Sequence, residues 1–181
     1  MPVSPRAVSA LVGGFLLVAV FVLFWVLWPS RASSGPPDDR AITMPSTFME
    51  LDVSPYNTGD DPESVATLRE DVGGAQLAFA MYGKAGGTTV SVTATRTDLT
   101  GRVDLRMLND NGQRYSNSYC SSNLSLRTAD QGPDGEGSPY PGGLICWRTS
   151  DRLSVSAFAL IKPPAEEELA RAVDLFWESL R

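Results

Sequence analysis

The segment AVSALVGGFLLVAVFVLFWVLW, from Ala7 to Trp28, runs for 22 residues without a charge or a proline. At about 1.5 Å per residue a helix of this length spans the roughly 30 Å hydrocarbon core of a bilayer. In lipid every backbone N–H and C=O must be satisfied within the segment, so a single apolar stretch that crosses has to be helical. Trp25 and Trp28 stand at its far end, where amphipathic rings prefer the headgroup region. The rival reading is a cleavable signal peptide, since Ser30 and Ala32 place small residues at −3 and −1 of a cut after Ala32. Apolar cores of such peptides run about 7–15 residues, which favours an uncleaved signal anchor here. No cysteine is placed to serve as a lipoprotein anchor.

The expected organisation follows: residues 1–6 as a cytoplasmic N-terminus, 7–28 as the transmembrane anchor, 29–41 as a Pro/Ser/Gly-rich linker, and 42–181 as one extracytoplasmic domain. The Lys/Arg bias across the anchor is nearly flat, with Arg6 before it and Arg31 and Arg40 after it. An early start-transfer segment and a cysteine pair suited to an oxidising compartment decide for N-inside, C-outside. The expected location is the cell membrane, single-pass, with the bilayer itself as one partner. Ser9 with Gly13 and Ala10 with Gly14 place small residues four apart, a spacing that lets two such helices approach. Small residues are also common in any spanning helix, so a homodimer through the anchor stands beside a plain tether.

Composition narrows the chemistry. There is no histidine among the 181 residues, which excludes imidazole acid–base catalysis, Ser-His-Asp and Cys-His mechanisms, and His-containing zinc sites. Two cysteines are too few for a structural zinc or an iron–sulfur cluster. The net charge of −6 disfavours a nucleic-acid partner. No phosphate-binding glycine loop is present, because YGKAGG lacks the required spacing. No cofactor, metal or catalytic residue is assigned.

The outer domain reads as α+β: an antiparallel sheet with a C-terminal amphipathic helix packed on one face. In PPAEEELARAVDLFWESLR, Ala165, Leu169, Ala172, Val173, Phe176 and Leu180 form one stripe at helical spacing, with Leu175 and Trp177 at its edges. Strands are expected in AQLAFAMYG, TTVSVTATR, GLICWRT and RLSVSAFALI, joined as hairpins by YGKAGGTT and RTSDR. Val90, Val92 and Ala94 alternate with Ser91, Thr93 and Thr95 in the manner of a half-buried strand. DDPESVATLRED suits a short helix beginning near Asp61 or Pro62, and LTGRVDLRMLNDNG is ambiguous between helix and strand and ends in a turn at Asn109 to Gly112.

Cys120 and Cys146 flank a Gly/Pro/Asp-rich stretch with no core of its own, which reads as a structural disulfide. A redox-active pair would want Cys-X-X-Cys spacing or an activating partner. With a strand end MYGK, a Cys, a later CWRTSDRLSV and a terminal amphipathic helix, residues 75–181 resemble uncharacterised actinobacterial single-pass membrane proteins with a small disulfide-containing outer domain. That resemblance implies the same disulfide and an extracytoplasmic location, and brings no catalytic residues.

Two acidic clusters remain, Asp60, Asp61 and Glu63, and Asp130, Asp134 and Glu136. A carboxylate hydrolase needs two acids facing one cleft, and Ca²⁺ could use the oxygens of the second cluster, in its Gly-rich turn, though the EF-hand pattern is absent. Turn acids of this kind are ordinarily solvated. Tyr115, Tyr119, Arg127, Tyr140 and Trp147 gather around the bridged loop and are the residue types of interface hot spots. The competing reading packs Trp147 on the disulfide inside the core. The chain is therefore expected to be a membrane-anchored interaction or accessory module with an envelope or membrane protein as partner. The alternative is a binder of a small ligand or cell-wall fragment.

Overall fold

The computed structural model describes residues 40–54, 62–84, 86–126 and 137–181. The expected anchor 7–28 with Ser9, Ala10, Gly13 and Gly14, and nearly all of the linker, lie outside the described residues. So do Arg127, Asp60, Asp61, Asp130, Asp134 and Glu136. Among the described residues no helix is long and apolar enough to cross a membrane.

In chain order the elements are β1 (Thr47–Phe48), β2 (Leu51–Asp52), α1 (Pro62–Asp71), β3 (Leu77–Gly83) and β4 (Thr89–Thr95). A 3₁₀ turn (Val103–Met107) follows, then β5 (Gln113–Tyr115), β6 (Ser118–Ser121), β7 (Ser125–Leu126), β8 (Ser138–Pro139), β9 (Leu144–Ser150), β10 (Leu153–Ile161) and α2 (Glu166–Ser179). Six strands make one wholly antiparallel sheet in the order β3-β4-β10-β9-β6-β5. This is the expected α+β architecture. The two expected hairpins, β3–β4 and β9–β10, form over the segments chosen for them.

Helix α2 packs across β5, β6, β9 and β10. Its sequence starts with three glutamates at the positive end of the helix dipole. Leu169, Ala170, Val173, Phe176 and Trp177 are buried on the sheet side. Trp177 thus belongs to the core, whereas Leu175 is 67 % exposed and points outward. Beneath α2 lie Ala80, Val92, Ala157, Cys146 and Cys120, one cross-strand row of the sheet. The small residues in that row let the helix approach closely. The β1–β2 ribbon places Phe48 against Tyr82 and Phe176, closing one end of this layer. Arg96, buried, donates from Nη1 to the Leu180 carbonyl at 2.9 Å, satisfying a carbonyl that the helix leaves without an internal donor.

The opposite face of the sheet is buried too. Leu68 of α1, Val72 just beyond it, Leu99, and Val103 and Leu105 of the 3₁₀ turn cover it together with Leu124 and Tyr140. The half-buried reading of β4 is therefore corrected: Thr93 and Thr95 are fully buried, as are Ser154 and Ser156 beside them on β10. Hydroxyl side chains tolerate such a position when an acceptor reaches them, and here it comes from the covering segment. Thr93 Oγ1 and Ser156 Oγ both donate to Asp104 Oδ2, at 3.2 and 3.3 Å. Ser154 Oγ donates to the Thr97 carbonyl at 2.7 Å.

Cys120 and Cys146 are register partners on β6 and β9 and are joined as a disulfide. The bridge faces α2 and is buried.

Candidate recognition face

The side chains singled out in the sequence divide between the two faces of the sheet because neighbouring strand residues point opposite ways. Tyr115 lies on the α2 side and donates its hydroxyl to Glu166. That hydrogen bond, then burial and the charges of Glu166 and Glu167, push the phenol up to about 12. Tyr119, Tyr140 and Trp147 lie on the other side. Trp147 is buried, but it cannot pack on the disulfide: Cys146 precedes it directly and faces α2. Arg148, back on the α2 side, stacks its guanidinium 3.7 Å above the Trp177 ring and pairs with Asp174 and Glu178. These contacts make Arg148 part of the helix–sheet joint.

On the far side a single cross-strand row runs Phe79, Thr93, Ser156, Trp147, Tyr119, Arg114. Its outer end stays partly open. Tyr119 is 40 % exposed and stacks on Trp147, with ring centroids 6.1 Å apart and planes 25° from parallel. Trp147, only 8 % exposed, is the rigid backing of the pair. Beside them is a recess of about 430 Å³ whose apolar floor includes Leu105 and Leu108 and whose rim carries Thr100, Asp110 and Asn111.

Local chemistry fixes this rim. In the NDNG turn, Asp110 Oδ1 accepts from the Gly112 amide at 2.9 Å. Gly112 has φ of 69°, and a Cβ there would stand 2.5 Å from the Trp147 ring and 2.7 Å from the Cys120 carbonyl oxygen. Only glycine fits both the conformation and the space. Asn109 ties the turn to the neighbouring segment by accepting from Ser125 Oγ at 2.8 Å and donating to Asn123 Oδ1 at 3.2 Å. Further along, Asp98 Oδ1 accepts from both the amide and the hydroxyl of Thr100.

Tyr140 packs edge-on against Phe158, centroids 5.8 Å apart, and is part of the same buried layer. The sequence reading missed Thr100, Asp110 and Asn111. The turn residues Asn109 to Gly112 were legible as a turn, but nothing local shows that the turn closes onto Trp147. It also missed Asp104, whose carboxyl is turned inward onto the two hydroxyls. Burial raises that carboxyl above its ordinary value, against the Thr93 and Ser156 bonds and the Arg106 charge, which lower it. A smaller recess of about 250 Å³ adjoins it, lined in part by Leu68, Met107 and Ser125. Of Glu63, the acidic-cluster residue within α1, only the backbone is described. Among the described residues no group of three or more Cys, Asp or Glu side chains is arranged to hold a metal ion.

Compared with known proteins, the chain matches no family model, no curated protein and no solved structure.

Proposed function

We propose that the chain is a membrane-tethered accessory module that recognises an envelope component through the face carrying Tyr119 and Trp147. The observation that carries this reading is the half-exposed Tyr119 ring held on a nearly buried Trp147 at the mouth of a recess. Aromatic residues with rigid backing lose little conformational freedom on binding, and they dominate interface energetics for that reason. The apolar run Ala7–Trp28 supports the tether, and the disulfide suits an oxidising compartment outside the membrane. The alternative component, a small ligand or cell-wall fragment, is favoured by one feature, the concavity of the site and its polar rim.

A photo-crosslinking amino acid in place of Arg114, the exposed register partner of Tyr119 on the same face, tests the reading in intact cells. A reproducible adduct that disappears with Tyr119→Ala and persists with Leu175→Ala, on the outer side of α2, is the expected outcome. No adduct, or one that Tyr119→Ala leaves unchanged, moves recognition away from this face.

A further inference from the structure

We infer that the Tyr119 recess binds a neutral saccharide, one sugar ring lying on the exposed side of Tyr119 with its hydroxyls held by Asp110, Asn111 and Thr100. The inference rests on the reading of this face as the recognition surface and names the class of ligand it takes.

The geometry of the aromatic pair selects the shape of the ligand. Trp147 and Tyr119 are stacked with their planes 25° apart, so they offer one flat platform and not a cage with walls on several sides. A cation would be held best by rings around it. A flat ring with polarised C–H bonds on its face matches the negative π surface of a single exposed aromatic instead. The rim selects the chemistry. Asp110 uses Oδ1 on the Gly112 amide and keeps a second carboxylate oxygen, an acceptor for hydroxyl donors. Asn111 lines the same recess and offers a donor and an acceptor in one plane, which suits adjacent hydroxyls of a sugar. Thr100 adds a hydroxyl rim group.

Charge disfavours a nucleotide, whose phosphates would meet a recess lined by Asp110 and by no Lys or Arg, with Arg114 standing outside it next to Tyr119 in the same row. An acyl chain would press hydrocarbon against the second Asp110 carboxylate oxygen and the Asn111 side-chain amide and leave them desolvated. The volume of about 430 Å³ lies within the range of small-ligand clefts and admits a ring or two. The Trp147 backing is held in place before any ligand arrives, because Gly112 closes tightly on its ring and on the Cys120 carbonyl.

The full chain in lipid nanodiscs, prepared without glycoside detergents that would compete, is titrated calorimetrically with chitotriose, maltotriose and mannotriose, and with glucose 6-phosphate as the charged control. Saturable binding of at least one neutral trisaccharide is expected. It should weaken about tenfold or more in Tyr119→Ala and in Asn111→Ala, each with unchanged thermal unfolding, and stay the same in Leu175→Ala. No saturable binding of any trisaccharide at about 10 mM, preference for the phosphate, or binding indifferent to Tyr119→Ala overturns the inference. If the trisaccharides fail while the adduct at position 114 still depends on Tyr119, the ligand class falls and the recognition face stands. If neither depends on Tyr119, both fall.

Discussion

Asp104 illustrates at the residue scale how a strand pattern misleads. Ser91, Thr93 and Thr95 alternate with apolar residues, and hydroxyl residues in that position read as a solvent face. Thr93 is buried with its hydroxyl on a carboxylate from a separate turn, 11 residues beyond it in the chain and 52 before Ser156, while Thr95 Oγ1 donates to the Gln76 carbonyl at 2.8 Å. No local window contains that pairing. The cost of the arrangement is a carboxyl whose folded-state value lies above its ordinary 3.8. The folded state therefore binds more protons than the unfolded chain between those two values. Stability from this group is fully present below the ordinary value and is lost as pH rises through the raised one. Asp104→Asn removes the titration. In urea melts it should match the wild type at the acid end and exceed it at pH 8; a difference between the two proteins that is constant with pH would contradict this. Asp104→Ala leaves two fully buried hydroxyls without their acceptor, and roughly 1–3 kcal/mol should be lost for each.

At the element scale, α2 and the two long hairpins were legible because each carries its own period and its own turn. The apolar stripe of α2 repeats over the whole helix, and the β9–β10 turn is short and polar. Strands β5 and β6 were not legible: NGQRYSNSY has no clean alternation, and the hairpin the two strands form is tied into the sheet through β6 on β9. Asp174 adds polar ties to the apolar packing that holds α2 on these strands. Its Oδ1 accepts from Ser118 Oγ at 2.8 Å and from Arg148 Nη1 at 3.3 Å, while Oδ2 accepts from the Asn117 amide at 3.2 Å. Both ends of the Arg148–Asp174 pair are about 15 % exposed, so removing Asp174 leaves Arg148 with Glu178 alone and takes the acceptor from Ser118 Oγ and the Asn117 amide. Asp174→Ala should destabilise the domain by about 3 kcal/mol in denaturant melts, and a loss under about 1 kcal/mol would show that the joint rests on apolar contacts alone. The disulfide acts on the same joint from beneath. Linking positions 26 apart should stabilise by about 3–4 kcal/mol in the chain-entropy view, so Cys120→Ser with Cys146→Ser should lower the unfolding midpoint relative to the oxidised protein.

For the whole molecule the order of the strands matters more than their number. β9 and β10 are the last strands in the chain, yet they lie in the middle of the sheet, between β4 on one side and β6 on the other. The earlier hairpins β3–β4 and β5–β6 therefore have no common sheet until the C-terminal hairpin inserts between them. Such non-local pairing slows folding, which suits a domain that, with the topology proposed above, crosses the membrane as an unfolded chain. An epitope tag after Arg181 should be stained on intact spheroplasts in that topology; staining only after permeabilisation would reverse the orientation.

The interleaving has a consequence for a chain that has been cut. A single proteolytic nick anywhere between Ser121 and Ile145 separates β9, β10 and α2 from β3 to β6, but the bridge between Cys120 and Cys146 keeps the two fragments one molecule. The C-terminal fragment is also wedged between strands of the other. A nicked protein would migrate as intact on a non-reducing gel and fall into two bands once reduced, and while oxidised it would keep the paired Tyr119 and Trp147, which sit on different fragments.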